Sequence, residues 1–310
     1  MKKLYRIMSF LFPIQNMLRN IIDTFSDSRI QQKRLQFYYQ NRLDQKLPLP
    51  KLNDTGFRKF SQTEEDGILH YIFSLIGTTN KVCLDIAFNS PYGSNTTNLI
   101  INLGWKGILI CTTERQARFS KHFFTSHKDA LLFFSLPMVY PRWITVENLN
   151  EVVKEGLNDL DIQDKEIDLF SLDIDGVDYW IWNALEIVEP RVVILEFNYF
   201  LGNRSITIPY KPDFKRPLYQ RNLPKYFGAS LPAYIKLAKK KGYRLVGVNK
   251  LFYNAFFVKN GIGEDIFPEV SYKEILNNQN YLTKTFRNKK WYKVWNKEWN
   301  KIKDFEWIEI

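Results

Sequence analysis

The densest group of reactive side chains lies in the run Asp173-Ile174-Asp175-Gly176-Val177-Asp178, directly after an apolar segment. Three carboxylates within six residues repel one another, so at least one is expected to meet a cation, a hydrogen-bond donor or a basic side chain. A simpler role is open to Asp178, which can cap the helix that follows. The run predicts an acidic site where a strand ends.

A second acidic position belongs with this run. Glu196 and Asn198 end the next apolar segment, and they lie beside the carboxylates if the two segments are neighbouring strands. Oxygen ligands from adjacent strand ends suit Mg²⁺ or another hard cation. We therefore predict a divalent-cation site at Asp173, Asp175 and Glu196. The alternative is a purely hydrogen-bonded or structural acidic cluster.

The segment from Asp85 to Asn95 connects an apolar run to a helical pattern. A strand, a tight loop and a helix N-terminus supply oriented backbone N–H groups, which suit a nucleoside or carboxylate ligand. Such loops normally use glycine so that the backbone can approach the ligand. Here Gly93 is the one glycine, and Asn89 lies earlier in the loop. The pattern fits both a cofactor loop and an ordinary strand-to-helix turn.

An acidic residue at the end of the second strand would accept hydrogen bonds from both hydroxyls of a ribose. That strand reaches Cys111, and the first acidic residue after it is Glu114. Glu114 is therefore the candidate for the ribose contact. The alternative is that this stretch caps the next helix through Thr112 or Thr113.

Short apolar runs alternate with amphipathic segments through the middle of the chain. The patterns predict strands at 81–87, 107–112, 130–135, 167–174, 191–197, 243–248 and 254–259. They predict helices at 95–103, 115–124, 147–159, 178–188 and 229–241, and another that starts with a capping box at Ser61 and Glu64 and ends at Gly77. The last two strands are close enough to form a hairpin with an antiparallel strand at or near the sheet edge.

This alternation predicts an α/β fold with a doubly wound, mostly parallel sheet of seven strands. Ligands of such sheets lie at the carboxyl ends of the strands, which is where the acidic run, the Asp85 loop and Glu114 fall. The predicted sheet would therefore bring these candidate residues together at one edge.

Both ends of the chain are basic. Residues 1–51 hold ten basic and three acidic residues, residues 281–310 hold eight and four, and the residues between them hold 26 of each. We divide the chain into a helical N-terminal extension (1–51), a central domain (52–260) and an aromatic C-terminal extension (261–310). The neutral centre argues against a nucleic-acid partner. The ends are suited to peripheral contact with an anionic membrane, or alternatively pack on the domain.

Composition sets further limits. Cys83 and Cys111 each lie in an apolar run, so no disulfide framework is expected and a reducing cytoplasm is the simplest location. No uninterrupted apolar run reaches the length of a membrane span. The three histidines lack the spacing of zinc ligands.

Ten short runs along the chain together match the pattern of a known protein family. They are 60–62 (FSQ), 65–69 (EDGIL), 94–100 (SNTTNLI), 104–107 (GWKG), 173–176 (DIDG), 178–182 (DYWIW), 190–193 (PRVV), 228–231 (GASL), 241–243 (KGY) and 254–258 (NAFFV). Together they resemble bacterial FkbM-like methyltransferases.

The resemblance implies a Rossmann-like methyltransferase sheet, S-adenosylmethionine as the methyl donor, and transfer to a hydroxyl, often on a sugar or natural product. It implies that the acid ending the first strand, the start of the next helix and a helix beside the cofactor contribute to donor binding. Matched residue by residue, these are Asp85, Asn95 with Thr96, and Gln62 with Asp66. Asp173 and Asp175 match the acidic strand end near donor and acceptor.

The departures from the family also fall at the donor site. Ala87, Asn89 and Pro91 replace small residues of the cofactor loop, and Cys111 replaces the ribose-binding acid. The sequence predicts an S-adenosylmethionine-dependent O-methyltransferase acting on a glycan or other small hydroxyl compound. The alternatives are a catalytically silent binding or scaffold protein with the same fold, and a glycosyltransferase that uses Asp173-Ile174-Asp175 as a D-x-D motif.

Overall fold

The computed structural model describes residues 28–127, 136–217, 225–277 and 291–310. The described chain divides into two units between Leu49 and Pro50. In the first unit, helix α1 (Ser28–Asp44) is followed by a turn in which Arg42 Nε donates to the carbonyl oxygen of Pro48 at 2.7 Å. All elements below belong to the second unit.

A seven-stranded sheet forms the centre of the second unit. Its strands lie in the order β3-β2-β1-β4-β5-β8-β7, and only β8 runs antiparallel to its neighbours. Their bounds are β1 Val82–Ile86, β2 Lys106–Cys111, β3 Met138–Pro141, β4 Glu166–Leu172, β5 Glu189–Glu196, β7 Tyr243–Val248 and β8 Asn254–Lys259. The central strands are buried on both faces, which explains their continuous apolar sequences.

Helices cover both faces of this sheet. The helices of this unit are α2 Glu65–Ile76, α3 Thr97–Leu103, α4 Glu114–Ser126, α5 Leu149–Asp159, α6 Asp178–Ala184, α7 Leu231–Lys241, α8 Tyr272–Asn277 and α9 Trp291–Ile302, of which α9 contacts the turn at Tyr199–Leu201. Strand β2 shows how closely they pack. A Cβ added to Gly107 would lie 2.7 Å from Cδ1 of Ile100 in α3, and one added to Gly156 in α5 would lie 2.5 Å from Cγ2 of Ile108. Glycine therefore permits close packing on each side of β2.

A small second sheet joins the C-terminal residues to the domain. Strand β6 (Ile206–Thr207) pairs antiparallel with β9 (Ile308–Glu309), and the amide of Ile310 donates to the carbonyl oxygen of Ser205 at 2.8 Å. Single 3₁₀ turns lie at Leu52–Asp54 and Tyr199–Leu201. No helix in the described ranges is long and apolar enough to cross a membrane.

The strand order and the antiparallel β8 beside the edge strand confirm the predicted doubly wound, mostly parallel seven-stranded fold. Six of the predicted strands match observed ones to within two residues at each end. The third strand, Met138–Pro141, was not predicted, and the predicted strand 130–135 lies outside the described residues. The predicted N-terminal helical pattern before Ser28 also lies outside them.

Two local predictions were wrong. Ser61 and Glu64 do not form a capping box, because α2 begins at Glu65 and no side chain caps it at Glu64. The helix predicted at 178–188 ends at Ala184, where the amides of Glu186 and Ile187 donate to Oδ1 of Asn150 instead of continuing the helical bonding.

Candidate functional site

A cleft opens at the carboxyl ends of β1, β2, β3 and β4, where the strand order reverses direction. It encloses about 620 Å³, including its solvent-open mouth. This is the position at which doubly wound sheets bind ligands. Its lining includes Ala87, Asn89, Cys111, Thr112, Arg142, Trp143, Asp173, Asp175, Pro212 and Phe214.

The loop after β1 keeps a glycine-like backbone without the glycine. Ala87 has φ of 72°, in the left-handed region that favours glycine. Its side chain is a methyl group, and the space above Ala87 and Asn89 belongs to the cleft. Asn89 accepts a hydrogen bond at Oδ1 from Nε2 of Gln116 at 2.9 Å. The altered residues of this loop therefore leave the cleft open beside Ala87 and Asn89.

Asp85 fixes the end of this loop through hydrogen bonds to two hydroxyl groups. Its Oδ2 accepts hydrogen bonds from the hydroxyls of Ser94 at 3.0 Å and Thr96 at 2.7 Å. Burial raises the pKa of Asp85 to about 6, against the lowering effect of these hydroxyls. Within the described residues Asp85 does not line the cleft, so it fixes the start of α3 rather than facing the ligand.

The other residues matched to the donor site are also absent from the described lining of the cleft. Asn95 donates from Nδ2 to Oγ of Ser171 at 3.2 Å, and the amide of Gly93 donates to the carbonyl oxygen of Phe60 at 2.6 Å. Gln62 is exposed. Asp66 is buried, and its Oδ2 accepts the amides of Lys59, Phe60 and Ser61 at 2.6 to 2.8 Å.

The end of β2 offers no carboxylate to the cleft. The buried thiol of Cys111 lies 3.6 Å from the carbonyl oxygens of Thr113 and Tyr140. Thr113 is the N-cap of α4 and forms a capping box with Gln116, so the capping alternative is confirmed. Glu114 is exposed in the first turn of α4 and lies outside the described lining of this cleft.

The acidic edge brings together Asp173 and Asp175, which line the cleft, and Glu196, which lies beside them outside the described lining. Carboxylate oxygens of the three side chains lie within 4.8 Å of one another. The Asp173 and Glu196 carboxylates lie close enough that each repels the charge of the other. Burial, followed by repulsion from neighbouring carboxylates, raises the pKa of both groups. The pair can therefore hold or accept a proton near neutral pH.

The remaining carboxylate, Asp178, has a structural role. Its Oδ1 accepts the amide of Ile174 and its Oδ2 accepts the amide of Gly176, both at 2.8 Å. The side chain thus bonds backward to the acidic loop and does not cap α6, whose N-cap is Val177. These bonds hold Asp175 in a left-handed conformation with φ of 55°.

Two side chains near this edge differ from the sequence prediction. Asn198 points away from the carboxylates, because its Nδ2 donates to the carbonyl oxygens of Lys225 and Phe227 and its Oδ1 accepts the amide of Phe200. Arg216, which the sequence analysis missed, forms an ion pair with Asp175. No local signal could have found it, since Arg216 lies 41 residues from its partner in a segment without periodicity.

The strand order and the position of the cleft define the fold as that of class I S-adenosylmethionine-dependent methyltransferases. The acidic edge at β4 and β5 lies beside this cleft.

Comparisons with solved structures find distant likenesses. An O-methyltransferase from Bacillus cereus in complex with S-adenosylhomocysteine (SAH) is 14% identical, with 66% of this chain and 85% of that chain covered and a TM-score of 0.40. An O-methyltransferase family protein from Burkholderia thailandensis is 12% identical, with 76% and 72% covered and a TM-score of 0.35. TnmH is 14% identical, with 58% of this chain covered and a TM-score of 0.34, and the match spans half the length of TnmH. No protein-family model and no curated protein matches the chain.

Proposed function

We propose that this protein is an FkbM-like, S-adenosylmethionine-dependent O-methyltransferase that acts on a glycan or another small hydroxyl compound. The observation that carries the proposal is the open cleft at the reversal of strand order, with a carboxylate edge formed by Asp173, Asp175 and Glu196. This site joins apolar side chains, which would suit an adenosyl group, to carboxylates, which would suit a cationic centre.

Each part of the cleft has a role in this proposal. The donor supplies an electrophilic methyl group on a positively charged sulfonium. Ile86, Ile110 and Val177 supply apolar lining, and the backbone at Ala87 approaches the donor as a glycine would. The negative charge shared by Asp173 and Glu196 attracts the sulfonium and accepts the proton of the acceptor hydroxyl.

The same three carboxylates are the proposed ligands of a divalent cation such as Mg²⁺. The donor set fits a hard cation, since it consists of oxygens alone and their separation allows a common ligand. A bound cation would lower the proton affinity of the acceptor hydroxyl. Asp175 can join such a site only after it releases Arg216.

A second candidate function is a binding or scaffold protein that retains the fold without catalysis. The observation that favours it is the end of β2, where a buried thiol replaces the ribose-binding carboxylate and Glu114 lies outside the described cleft lining. Such a protein would bind a nucleoside weakly or not at all.

Isothermal titration with S-adenosylmethionine and with SAH tests donor binding. We expect both to bind, and we expect Asp173→Asn to weaken S-adenosylmethionine about tenfold but SAH by less, because only the former carries the sulfonium charge. Asp164→Asn changes an exposed carboxylate just before β4, at the end of the strand opposite the cleft, and it should leave both affinities unchanged.

The absence of detectable binding at millimolar donor would overturn the methyltransferase proposal. Equal losses for the two ligands in Asp173→Asn would show that Asp173 does not face the sulfonium. Donor binding without methyl transfer to any of a panel of sugars and phenols would favour the second candidate.

A further inference from the structure

Residues 208–217, which we call the strap, cross one side of the cleft. Pro212 and Phe214 of the strap contribute to its lining. The strap is closely applied to the acidic loop, since a Cβ added to Gly176 would lie 2.9 Å from Cδ1 of Phe214. Residue 176 therefore has to be small for the strap to lie where it does.

Hydrogen bonds to α6 and to the segment between β3 and α5 fix the first half of the strap. The indole Nε1 of Trp180, in α6, donates to the carbonyl oxygen of Ile208 at 2.8 Å. Nε1 of Trp143, at the cleft mouth, donates to the carbonyl oxygen of Pro212 at 2.7 Å. The hydroxyl of Tyr210 accepts the amide of Val146 at 2.9 Å and donates to Glu147 at 2.7 Å. These contacts anchor residues 208–212.

Arg216 fastens the second half of the strap. Its guanidinium pairs with the carboxylate of Asp175, and its Cζ lies 3.5 Å from the centre of the Phe227 ring. The Arg216 side chain is 21% exposed and that of Asp175 is 43% exposed, so water and salt can reach the pair. Asp175 pairs with the edge of the planar guanidinium, and the Phe227 ring contacts its face. The flexible ammonium group of a lysine would not reproduce both contacts.

We propose that the strap is a closing element of the cleft and that Arg216 is the positioning residue that latches it to Asp175. Asp175 belongs to the carboxylate edge that faces the ligand, so a cationic group bound there competes with the guanidinium. Occupation of the acidic edge and release of the strap are therefore coupled. The identity of the ligand rests on the proposed function, whereas the latch itself does not.

Hydrogen–deuterium exchange of the full chain without ligand tests the latch. Arg216→Gln should accelerate exchange across residues 208–217 about fivefold, because the local opening of the strap loses its ion pair. Arg216→Lys should restore part of the protection. Lys211→Gln removes an exposed strap cation that has no ion pair among the described residues, and it should leave exchange unchanged.

The salt dependence of hydrogen–deuterium exchange tests the Arg216–Asp175 pair independently. In about 1 M NaCl, exchange of the strap should accelerate in the wild-type protein and not in Arg216→Gln, since screening acts on the pair that the variant already lacks. If Arg216→Gln fails to fold by circular dichroism, Asp175→Asn removes the same pair from the other side. Unchanged strap exchange in a folded variant would overturn the proposal.

Stopped-flow measurement of SAH release connects the latch to the cleft. We expect release to be about tenfold faster in Arg216→Gln than in the wild type, with Lys211→Gln unchanged. Failure of SAH to bind the wild-type protein contradicts the proposed function and leaves the exchange result to decide the latch. SAH release that is equally fast in both proteins would show that the strap does not close over the donor.

Discussion

At the scale of single residues, Ala87 retains a backbone conformation that its side chain disfavours. The φ of 72° is left-handed, which costs an alanine about 1 to 2 kcal/mol relative to glycine. Replacement by glycine removes this cost but increases the conformational freedom of the unfolded chain, worth about 0.4 to 1 kcal/mol. The two effects oppose each other, and the strain is the larger.

Ala87→Gly is therefore expected to raise the free energy of unfolding by about 0.5 to 1 kcal/mol. The control is Ala238→Gly in α7, which should lower it by about 1 to 2 kcal/mol because a helical glycine has an entropic penalty and the substitution also removes a buried methyl group. Urea unfolding of both variants provides the measurement. A destabilised Ala87→Gly would mean that the loop is not strained at this position.

The carboxylates show which parts of the candidate site the sequence could predict. Asp173, Asp175 and Glu196 were predicted together because they follow neighbouring apolar runs, and the structure places their oxygens within 4.8 Å. The sequence did not predict the partners of Asp178 and Arg216. The first bonds to the loop before it, and the second arrives from the strap to neutralise Asp175.

At the scale of elements, the two ends of the sheet use buried charge differently. The carboxyl ends of the strands hold the acidic edge of the cleft. Near the amino ends, Asp168 of β4 accepts the amides of residues 79–81 and the guanidinium of Arg191 in β5 at 2.8 Å. Arg191 also donates to the carbonyl oxygens of Ile76 and Gly77, where α2 ends. This pair joins a helix, a loop and two strands.

Arg191→Met is expected to destabilise the protein by about 3 kcal/mol, because it leaves the Asp168 carboxylate buried without its cation. Lys259→Met is the matched control at the same edge, and it should cost less than about 1 kcal/mol since its partner Glu189 is 57% exposed. Thermal unfolding distinguishes the two. Below the melting transition of both variants, the affinity for SAH should remain that of the wild type. If Arg191→Met lowered both the stability and the affinity for SAH, the amino ends of the strands would not serve stability alone.

At the scale of the whole molecule, positive charge is concentrated near the two ends of the chain. Residues 1–51 and 281–310 account for the entire net charge of +11, while the centre is neutral. Lys297 and Lys303 are exposed in and after α9, whose other residues include several tryptophans. Basic and aromatic residues together are typical of segments that bind anionic lipid surfaces. We propose that the protein associates peripherally with such surfaces.

Vesicle flotation tests this association. We expect the protein to float with vesicles containing phosphatidylserine, to remain unbound with phosphatidylcholine alone, and to be released at about 0.5 M salt. Replacing Lys297 and Lys303 by Gln should weaken flotation, whereas the same change at the exposed central residues Lys154 and Lys165 should not. Equal flotation with neutral and anionic vesicles would contradict an electrostatic contact.

The sequence by itself determined the kinds of elements and the architecture of the sheet. Buried parallel strands have continuous apolar sequences and helices have a local period, so both can be recognised within a few residues. The third strand escaped because Met138–Pro141 is short and only partly buried.

The tertiary structure decided which partner each polar side chain takes. Asp85 meets Ser94 and Thr96, Asp178 meets the acidic loop, and Asp175 meets Arg216 from the strap. The direction of a side chain depends on how separate segments pack, and no local period encodes that packing. For the same reason the open space above Ala87, which the loop sequence left undecided, could be seen only in the folded chain.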